Sequence, residues 1–339
     1  MAPPPHFIHP SRSLEETSAF WYPIIRDLGW NRSLSDGPTH YHAALDGQTW
    51  LLMTPQGSST PDNAGAGQDS ERIGKPGLPS AVPTSLSPQG CVLALPFSNG
   101  TGWIGFFLVS SAHCGQGLGG ALWRGMDAVW AQNGTRVIGL DGVEEQVPTY
   151  TRRGFVDVGR IVLMSCSASE AMNAKIGEAV DGGAVSDIRH AEREELRRLD
   201  EMYTGLDRGR YWISSGLLDR EDVFGFAHYI DTKLDGFVLV RGCEEGHRVG
   251  PLFAPSAAVA TQLLQLAMQH PSVAKSGGSL IVEVFGANAG AKRVFEGLGW
   301  SDVGVEYHRM WYEGRVPEPQ QDGGLGTKGM FAVFDAACG

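Results

Sequence analysis

The most informative run in this chain is Trp103-Ile-Gly-Phe-Phe-Leu-Val109, followed by Cys114-Gly-Gln-Gly-Leu-Gly-Gly-Ala-Leu122. An apolar strand here leads through a glycine-rich loop into a helix. Because glycine has no Cβ, the loop allows successive backbone N–H groups to approach a ligand, and the helix adds the positive end of its dipole. The stretch therefore predicts a cradle for a diphosphate.

The elements around this stretch predict a mixed sheet with flanking helices. Upstream, the pattern predicts a helix from Leu14 that ends at Gly29, strands over 40–44 and 49–54 around the Asp46-Gly47 turn, and a strand over 91–96 that pairs with 103–109. Downstream, it predicts a helix over 117–132, a strand over 135–140, a short helix over 147–153 and a strand over 155–166. The glycine loop thus lies inside an α/β unit.

The second half repeats this order of elements. Tyr150-x-x-x-Gly154-Phe155-Val-Asp157-Val158-Gly159 matches Phe295-x-x-x-Gly299-Trp300-Ser-Asp302-Val303-Gly304 in spacing. A match over the whole run indicates internal duplication. The loop of the second copy, however, has no glycine cluster.

Length, composition and net charge indicate the class of protein. A chain of 339 residues favours two domains, and 42% hydrophobic with 19% charged residues is typical of a globular protein. The net charge of −11 argues against general nucleic-acid binding, and no apolar run is long enough for a membrane span. Without signal-peptide features at the start, and with five scattered cysteines, we expect a cytoplasmic protein with reduced thiols.

Two further patterns concern ligands and organisation. His40-x-His42 lacks a visible third ligand, so we expect surface histidines and no metal. Residues 56–90 are rich in Gly, Ser, Pro, Ala and Asp and predict a disordered insertion.

One alternative fits the loop alone. Gly115-x-Gly117-x-x-Gly120 also satisfies the dinucleotide fingerprint, and Asp141 follows about twenty residues later, as in an NAD(P)-binding Rossmann oxidoreductase. A Rossmann domain normally opens with its fingerprint strand, whereas here a helix and several apparently antiparallel strands come first. Chain order therefore disfavours this alternative.

Together, the glycine loop and Tyr150-Thr-Arg-Arg-Gly-Phe155 resemble the GNAT superfamily of acyl-CoA-dependent N-acyltransferases. In the second half, Gly205-Leu-Asp207-Arg208, Gly236-Phe-Val-Leu-Val-Arg241 and Val249-Gly250-Pro251-Leu252-x-Ala254 look like the C-terminal GNAT domain of YitH/HolE-like double-GNAT proteins, as does Gly29-Trp30-Asn31 with Asp36 in the first half. The resemblance implies an α/β (α+β) chain of tandem GNAT folds, each a mixed, mostly antiparallel sheet flanked by helices. It divides the chain into an N-terminal GNAT domain over 1–167, a linker over 168–183, a degenerate C-terminal GNAT domain over 184–315 and a tail over 316–339.

The resemblance also implies acetyl-CoA as co-substrate. The family's loop pattern, Arg/Gln-x-x-Gly-x-Gly/Ala, falls on Cys114, Gly117 and Gly119, so this chain departs from it at Cys114. The implied acetyl-CoA-binding residues are Phe107, Leu108, Val109, Cys114, Gly115, Gln116, Gly117, Leu118, Gly119 and Gly120. An alternative makes Cys114 a nucleophile beside His113.

The implied reaction is direct attack of an amine on the acetyl group in a ternary complex. Tyr150 stands where many family members carry the tyrosine that protonates the departing thiolate, and its alternative role is packing. Asp141 is the best-placed candidate for the base, with Glu144 and Glu145 also possible.

The acceptor is expected to be a small-molecule amine, with no nucleic acid, membrane or metal involved. Trp30, Asp207 and Arg208 are its candidate contacts, although Asp207 and Arg208 could instead form an internal ion pair. A non-catalytic acyl-CoA-binding or interaction protein is the alternative function.

Overall fold

In the part of the chain that the structure describes, thirteen strands form one continuous sheet that runs through both halves. The structure is a computed structural model and describes residues 6–55, 87–174 and 183–339. The strands are β1 His6–Pro10, β2 Trp50–Pro55, β3 Gly90–Pro96, β4 Thr101–Val109, β5 Val137–Gly142, β6 Phe155–Ser167, β7 Gly183–Asp187, β8 Val223–Ile230, β9 Lys233–Gly242, β10 Gly246–Phe253, β11 Ser279–Phe285, β12 Ser301–Tyr312 and β13 Met330–Ala332. The helices are α1 Leu14–Asp27, α2 Asp36–Ala43, α3 Leu118–Asn133, α4 Val147–Thr151, α5 Ala168–Asn173, α6 Arg193–Thr204, α7 Gly209–Ile213, α8 Ala257–Met268, α9 Pro271–Ser276, α10 Ala291–Gly297 and α11 Gly326–Gly329.

The strand order confirms the predicted α/β (α+β) class with a mostly antiparallel sheet. The order is β1-β2-β3-β4-β5-β12-β6-β11-β13-β10-β9-β8-β7. The parallel pairs are β4 with β5 and β10 with β11, one in each half. A Rossmann domain has a mostly parallel sheet, so the fold excludes that alternative.

The two halves exchange their last long strands. β12 of the second half pairs with β5 of the first, and β6 of the first half pairs with β11 of the second. β6 and β12 also pair with each other, antiparallel, in the middle of the sheet. The matching motifs found in the sequence lead into these two strands: Gly154 and Gly299 both adopt positive φ, and Phe155 and Trp300 are buried.

The core has three parts. α3 and α4 cover one face of the first half, and α5, α8 and α10 cover the same face of the second half. On the opposite face, α1, α2, α6 and α7 share one core that spans both halves and includes Trp21, Trp103, Trp311 and Phe334. We call this opposite side of the sheet the shared face.

The predicted strand over 40–44 was wrong, and the structure adds elements near the other predicted boundaries. Residues 40–43 belong to helix α2 rather than a strand, because Thr39, His40 and Ala43 recur with helical spacing and are buried together. The predicted linker opens with α5, which a Ser167 and Glu170 capping box begins. The predicted tail includes α11 and β13, which lies inside the sheet. The predicted insertion lies, over 56–86, outside the described residues, and Gly90 already belongs to β3.

Candidate active site in the first half

A gap opens between β4 and β5 on the carboxyl side of their parallel pairing. The two strands pair only over Thr101–Ile104 and Val137–Leu140. β5 pairs with β12 along its other edge. Beyond Ile104, no strand in the described part of the chain pairs with the edge of β4 that faces β5. Backbone groups of residues 107–109 on this edge are therefore available to a ligand.

A β-bulge turns β4 away from β5. The register between β3 and β4 shifts between Cys91 and Leu93, and Phe106 adopts a φ of 42°. A positive φ is uncommon for a non-glycine residue, and bulges increase local twist. The bulge therefore lies where the gap begins.

The glycine loop reaches the start of α3 in the conformation that the sequence predicts. Gly115 and Gly117 have φ values of 76° and 78°, and Gly117 is the N-cap of α3. A Cβ placed on either glycine would meet no heavy atom within 4 Å, so the space in front of these positions is open. The first turn of this 16-residue helix contains no acidic residue, which suits an anion.

The Cys114 thiol contacts the end of β4. Its exposed thiol donates toward the carbonyl oxygens of Val109 and Ser110, at 3.7 and 3.6 Å. The neighbouring His113 is engaged through Nε2 with Gln89, at 3.0 Å. In this arrangement Cys114 stabilises the end of β4, which does not favour the alternative role of nucleophile.

Two arginines that the sequence reasoning missed flank the start of α3. A Cβ on Gly120 would lie 3.8 Å from Nη1 of Arg124 and 4.0 Å from Nη2 of Arg153. The Arg153 guanidinium also stacks over Trp123, 4.3 Å from its ring. Burial lowers the pKa of Arg153; attraction to Asp127 opposes this shift, and repulsion from Arg124 and Arg152 adds to it. A bound anion would relieve this repulsion. The spacing could have predicted the position of Arg124, because it lies one helical turn after Gly120.

Tyr150 and Phe107 lie close together on the α3 side of the gap. Both pack against Trp123, with ring centroids 6.4 and 5.7 Å away. The Tyr150 ring also lies on Gly142 at the end of β5, where a Cβ would come within 2.9 Å of it. Burial raises the pKa of Tyr150 to about 12. The phenol is therefore protonated at neutral pH, as a proton donor must be.

Asp141 is engaged in a buried ion pair across the exchanged strands. Both of its carboxylate oxygens accept hydrogen bonds from Arg309 on β12, at 2.9 and 2.7 Å, and the side chain is fully buried. Burial raises the pKa of Asp141 although Arg309 opposes this shift. The ion pair does not favour Asp141 as the base, a role that stays a prediction.

The other two candidates for the base lie nearby. Glu144 accepts a hydrogen bond from Nε2 of His308 at 2.6 Å, and Nδ1 of the same ring bonds to Asp157 at 2.7 Å. Both His308 nitrogens are therefore occupied. Glu145 is exposed. His308 and Arg309 were missed because the sequence does not show that β12 pairs with the first half.

Trp30 lies on the shared face beside the bulge. Its half-buried ring stacks on Phe106 with centroids 6.4 Å apart, and the guanidinium of Arg32 lies 5.4 Å from the same Phe106 ring. The structure thus brings Trp30 to the gap from the side opposite α3. This position is compatible with the predicted role in acceptor binding.

Asp207 and Arg208 form internal ion pairs. Arg208 is fully buried and binds Asp200, while Asp207 pairs with Arg197 at 2.9 Å. Asp207 also accepts a hydrogen bond from Ser98 and lines a cavity of about 380 Å³ between the halves. This geometry agrees with the alternative of internal pairing and does not favour direct contact with the acceptor.

The second half contains the equivalent gap, but the chain itself fills it. β10 and β11 pair over residues 246–249 and 279–282 and then diverge. β13 occupies the space between them, pairing Ala332 with both Leu252 and Val284. A Ser256 N-cap stands where the first half has its glycine loop. Only the first of these two gaps is open to a ligand.

The described residues show neither a metal cluster nor a membrane-spanning helix. Residues 6–55, 87–174 and 183–339 contain no group of three or more His, Cys, Asp or Glu side chains that could hold a metal ion. Over the same ranges, no helix is long and apolar enough to cross a membrane.

Known proteins resemble this chain in part of its sequence and in its fold. Residues 196–323 match the family model of the acetyltransferase (GNAT) domain. The chain is 25% identical over 240 residues to the holothin acyltransferase of Pseudoalteromonas sp. (strain SANK 73390), covering 69% of this chain and 74% of that protein.

Solved structures share the fold over nearly the whole chain. A putative acetyltransferase from Pyrococcus horikoshii has a TM-score of 0.64 at 18% identity, over 98% of this chain and 96% of that one. A tandem GNAT protein from the clavulanic acid biosynthesis pathway has a TM-score of 0.60 at 11% identity, over 91% and 98%. Residues 196–323 are therefore similar to a GNAT acetyltransferase domain, and the chain as a whole shares the fold of these solved GNAT proteins.

Proposed function

We propose that the protein is an N-acetyltransferase that transfers an acetyl group from acetyl-CoA to the amine of a small molecule, by direct attack in a ternary complex. The observation that carries this proposal is the asymmetry between the two gaps. The first is open and lies beside a glycine loop, whereas β13 fills the second. The curated relative is named for the acylation of holothin, which favours a small-molecule acceptor.

The residues around the first gap fit an acyl-CoA. Gly115 and Gly117 leave open space before the start of α3, and Arg124 and Arg153 add positive charge there. The free edge of β4 over 107–109 offers backbone groups to amides. When bound, acetyl-CoA would supply an activated thioester.

Tyr150 is the residue that we expect to take the main part in the reaction. Its protonated phenol lies on the α3 side of the gap and would donate its proton to the leaving thiolate. The base stays open among Asp141, Glu144, Glu145 and water. An acceptor would approach from the shared face, beside Trp30.

Acetyl-CoA binding tests the proposal with a matched pair of variants. Gly117 and Gly134 lie at the two ends of α3, both have positive φ, and a Cβ at either would meet no heavy atom within 4 Å. Gly117→Ala and Gly134→Ala should therefore cost similar backbone strain. We expect Gly117→Ala to weaken acetyl-CoA binding by at least about tenfold, or about 1.4 kcal/mol, and Gly134→Ala by less than about twofold.

Isothermal titration calorimetry gives the two affinities, and release of free thiol from acetyl-CoA across a panel of primary amines gives turnover. A wild-type protein that binds no acetyl-CoA, or acetylates no amine, would refute the proposed activity. Equal loss of affinity in both variants would refute the assignment of the site to the start of α3.

A further inference from the structure

Residues 333–339, which we call the closing segment, continue from β13 and cross onto β4 of the first half. The Trp103 indole N–H donates to the Ala336 carbonyl at 2.9 Å. A Cβ on Gly105 would overlap the carbonyl oxygen of Ala337. The closing segment therefore lies directly against β4, just before the bulge at Phe106.

The closing segment lies on the shared face. Trp103, which it contacts, packs against Trp311 with centroids 5.5 Å apart, and the Arg309 guanidinium lies 4.8 Å from the Trp103 ring. α3, the glycine loop and Tyr150 all lie on the other face. The closing segment therefore lies on the same side of the sheet as Trp30, from which the proposed function has the acceptor approach.

Buried polar contacts fix the closing segment in place. The Asp335 carboxylate pairs with Arg32 of the first half and with Arg241 of the second, the latter at 3.1 Å. Arg208 donates to the carbonyl oxygens of Cys338, at 3.3 Å, and Gly339. Leaving a buried charge unpaired costs several kcal/mol. The closing segment is therefore a permanent part of the fold and not a removable plug.

We propose that the closing segment forms the inner wall of the acceptor pocket and limits the size of the amine that reaches the acyl group. This inference rests on the function proposed above. Small residues bring the backbone of the closing segment close to β4, whereas Trp30 and Tyr307, which pack against the same core, are only half-buried. The acceptor would extend toward that side.

Deletion of residues 336–339 tests the wall directly. The readout is the ratio of kcat/KM for the bulkiest and the smallest primary amine that the wild-type protein acetylates. We expect the deletion to shift this ratio at least about tenfold toward the bulkier amine, while the Kd for acetyl-CoA stays within about twofold of wild type. If the closing segment had only a structural role, its deletion would lower kcat/KM for both amines by the same factor and leave their ratio unchanged.

If the deletion variant does not fold, Gly105→Ala tests the same inference about the closing segment. The added Cβ has to displace the Ala337 carbonyl, so the size ratio should change by at least about tenfold. Gly159→Ala on β6 is the matched control, since a Cβ there meets no heavy atom within 4 Å, and it should keep the wild-type ratio.

An unchanged ratio in a folded deletion variant, or in Gly105→Ala, would overturn the inference and leave the proposed activity standing. A wild-type protein that binds no acetyl-CoA would overturn both.

Discussion

His40 should make the protein sensitive to acid. The ring is fully buried in α2, its Nδ1 lies 2.8 Å from the Tyr211 hydroxyl oxygen, and its Nε2 has no hydrogen-bond partner. Burial lowers the pKa of His40 to about 4, although Asp335 and Asp36 oppose this shift. The folded state thus favours the neutral ring.

The sign and size of the effect follow from this pKa. Because the pKa in the folded state lies below the unfolded value of about 6.5, stability is fully present above pH 6.5 and is lost as the pH falls toward 4. The difference corresponds to about 3 kcal/mol in total, of which about 2.5 kcal/mol is lost by pH 4.5.

Urea unfolding at pH 8 and pH 4.5, followed by tryptophan fluorescence, measures this loss. His40→Gln should lose about 2.5 kcal/mol less than wild type between the two pH values. His42→Gln is the control, because the His42 side chain is 49% exposed, and it should keep the wild-type acid dependence. If His40→Gln lost as much stability as wild type between the two pH values, this would refute the inference that His40 is neutral in the folded state.

Two further substitutions separate chemistry from stability. Tyr150→Phe should lower kcat by about 10²- to 10⁴-fold and leave the Kd for acetyl-CoA within about twofold, as measured by thiol release and calorimetry. Because burial raises the pKa of Tyr150 to about 12, its phenol should cause no fall in the wild-type rate up to about pH 10, and an unchanged kcat in the variant would leave Tyr150 a packing role only. Arg309→Met should cost about 3 to 5 kcal/mol in urea unfolding, because it leaves the Asp141 carboxylate buried and unpaired. Lys292→Met, which removes the half-exposed pair with Asp302, should cost less than about 1 kcal/mol, and equal losses would contradict the buried pair.

Local patterns predicted most elements of the fold and the cradle of the candidate site. Apolar periodicity and the positive-φ glycines are properties of neighbouring residues, so the loop around Gly117 and the position of Tyr150 could be inferred from the sequence. The partners of Asp141 and Glu144 could not, because Arg309 and His308 meet them only through a pairing between residues more than 160 positions apart. The strand predicted over 40–44 failed for a related reason, since its burial depends on helix α7 of the second half.

The exchanged strands also limit the order in which the chain can fold during its synthesis. The edge of β5 is completed by β12, so residues 139–142 keep one unpaired edge until residues 308–311 have left the ribosome. An unpaired edge can capture other strands, and non-local pairing slows folding. The first half therefore emerges from the ribosome with its sheet incomplete, and we expect nascent chains to be prone to aggregation until the second half has been translated.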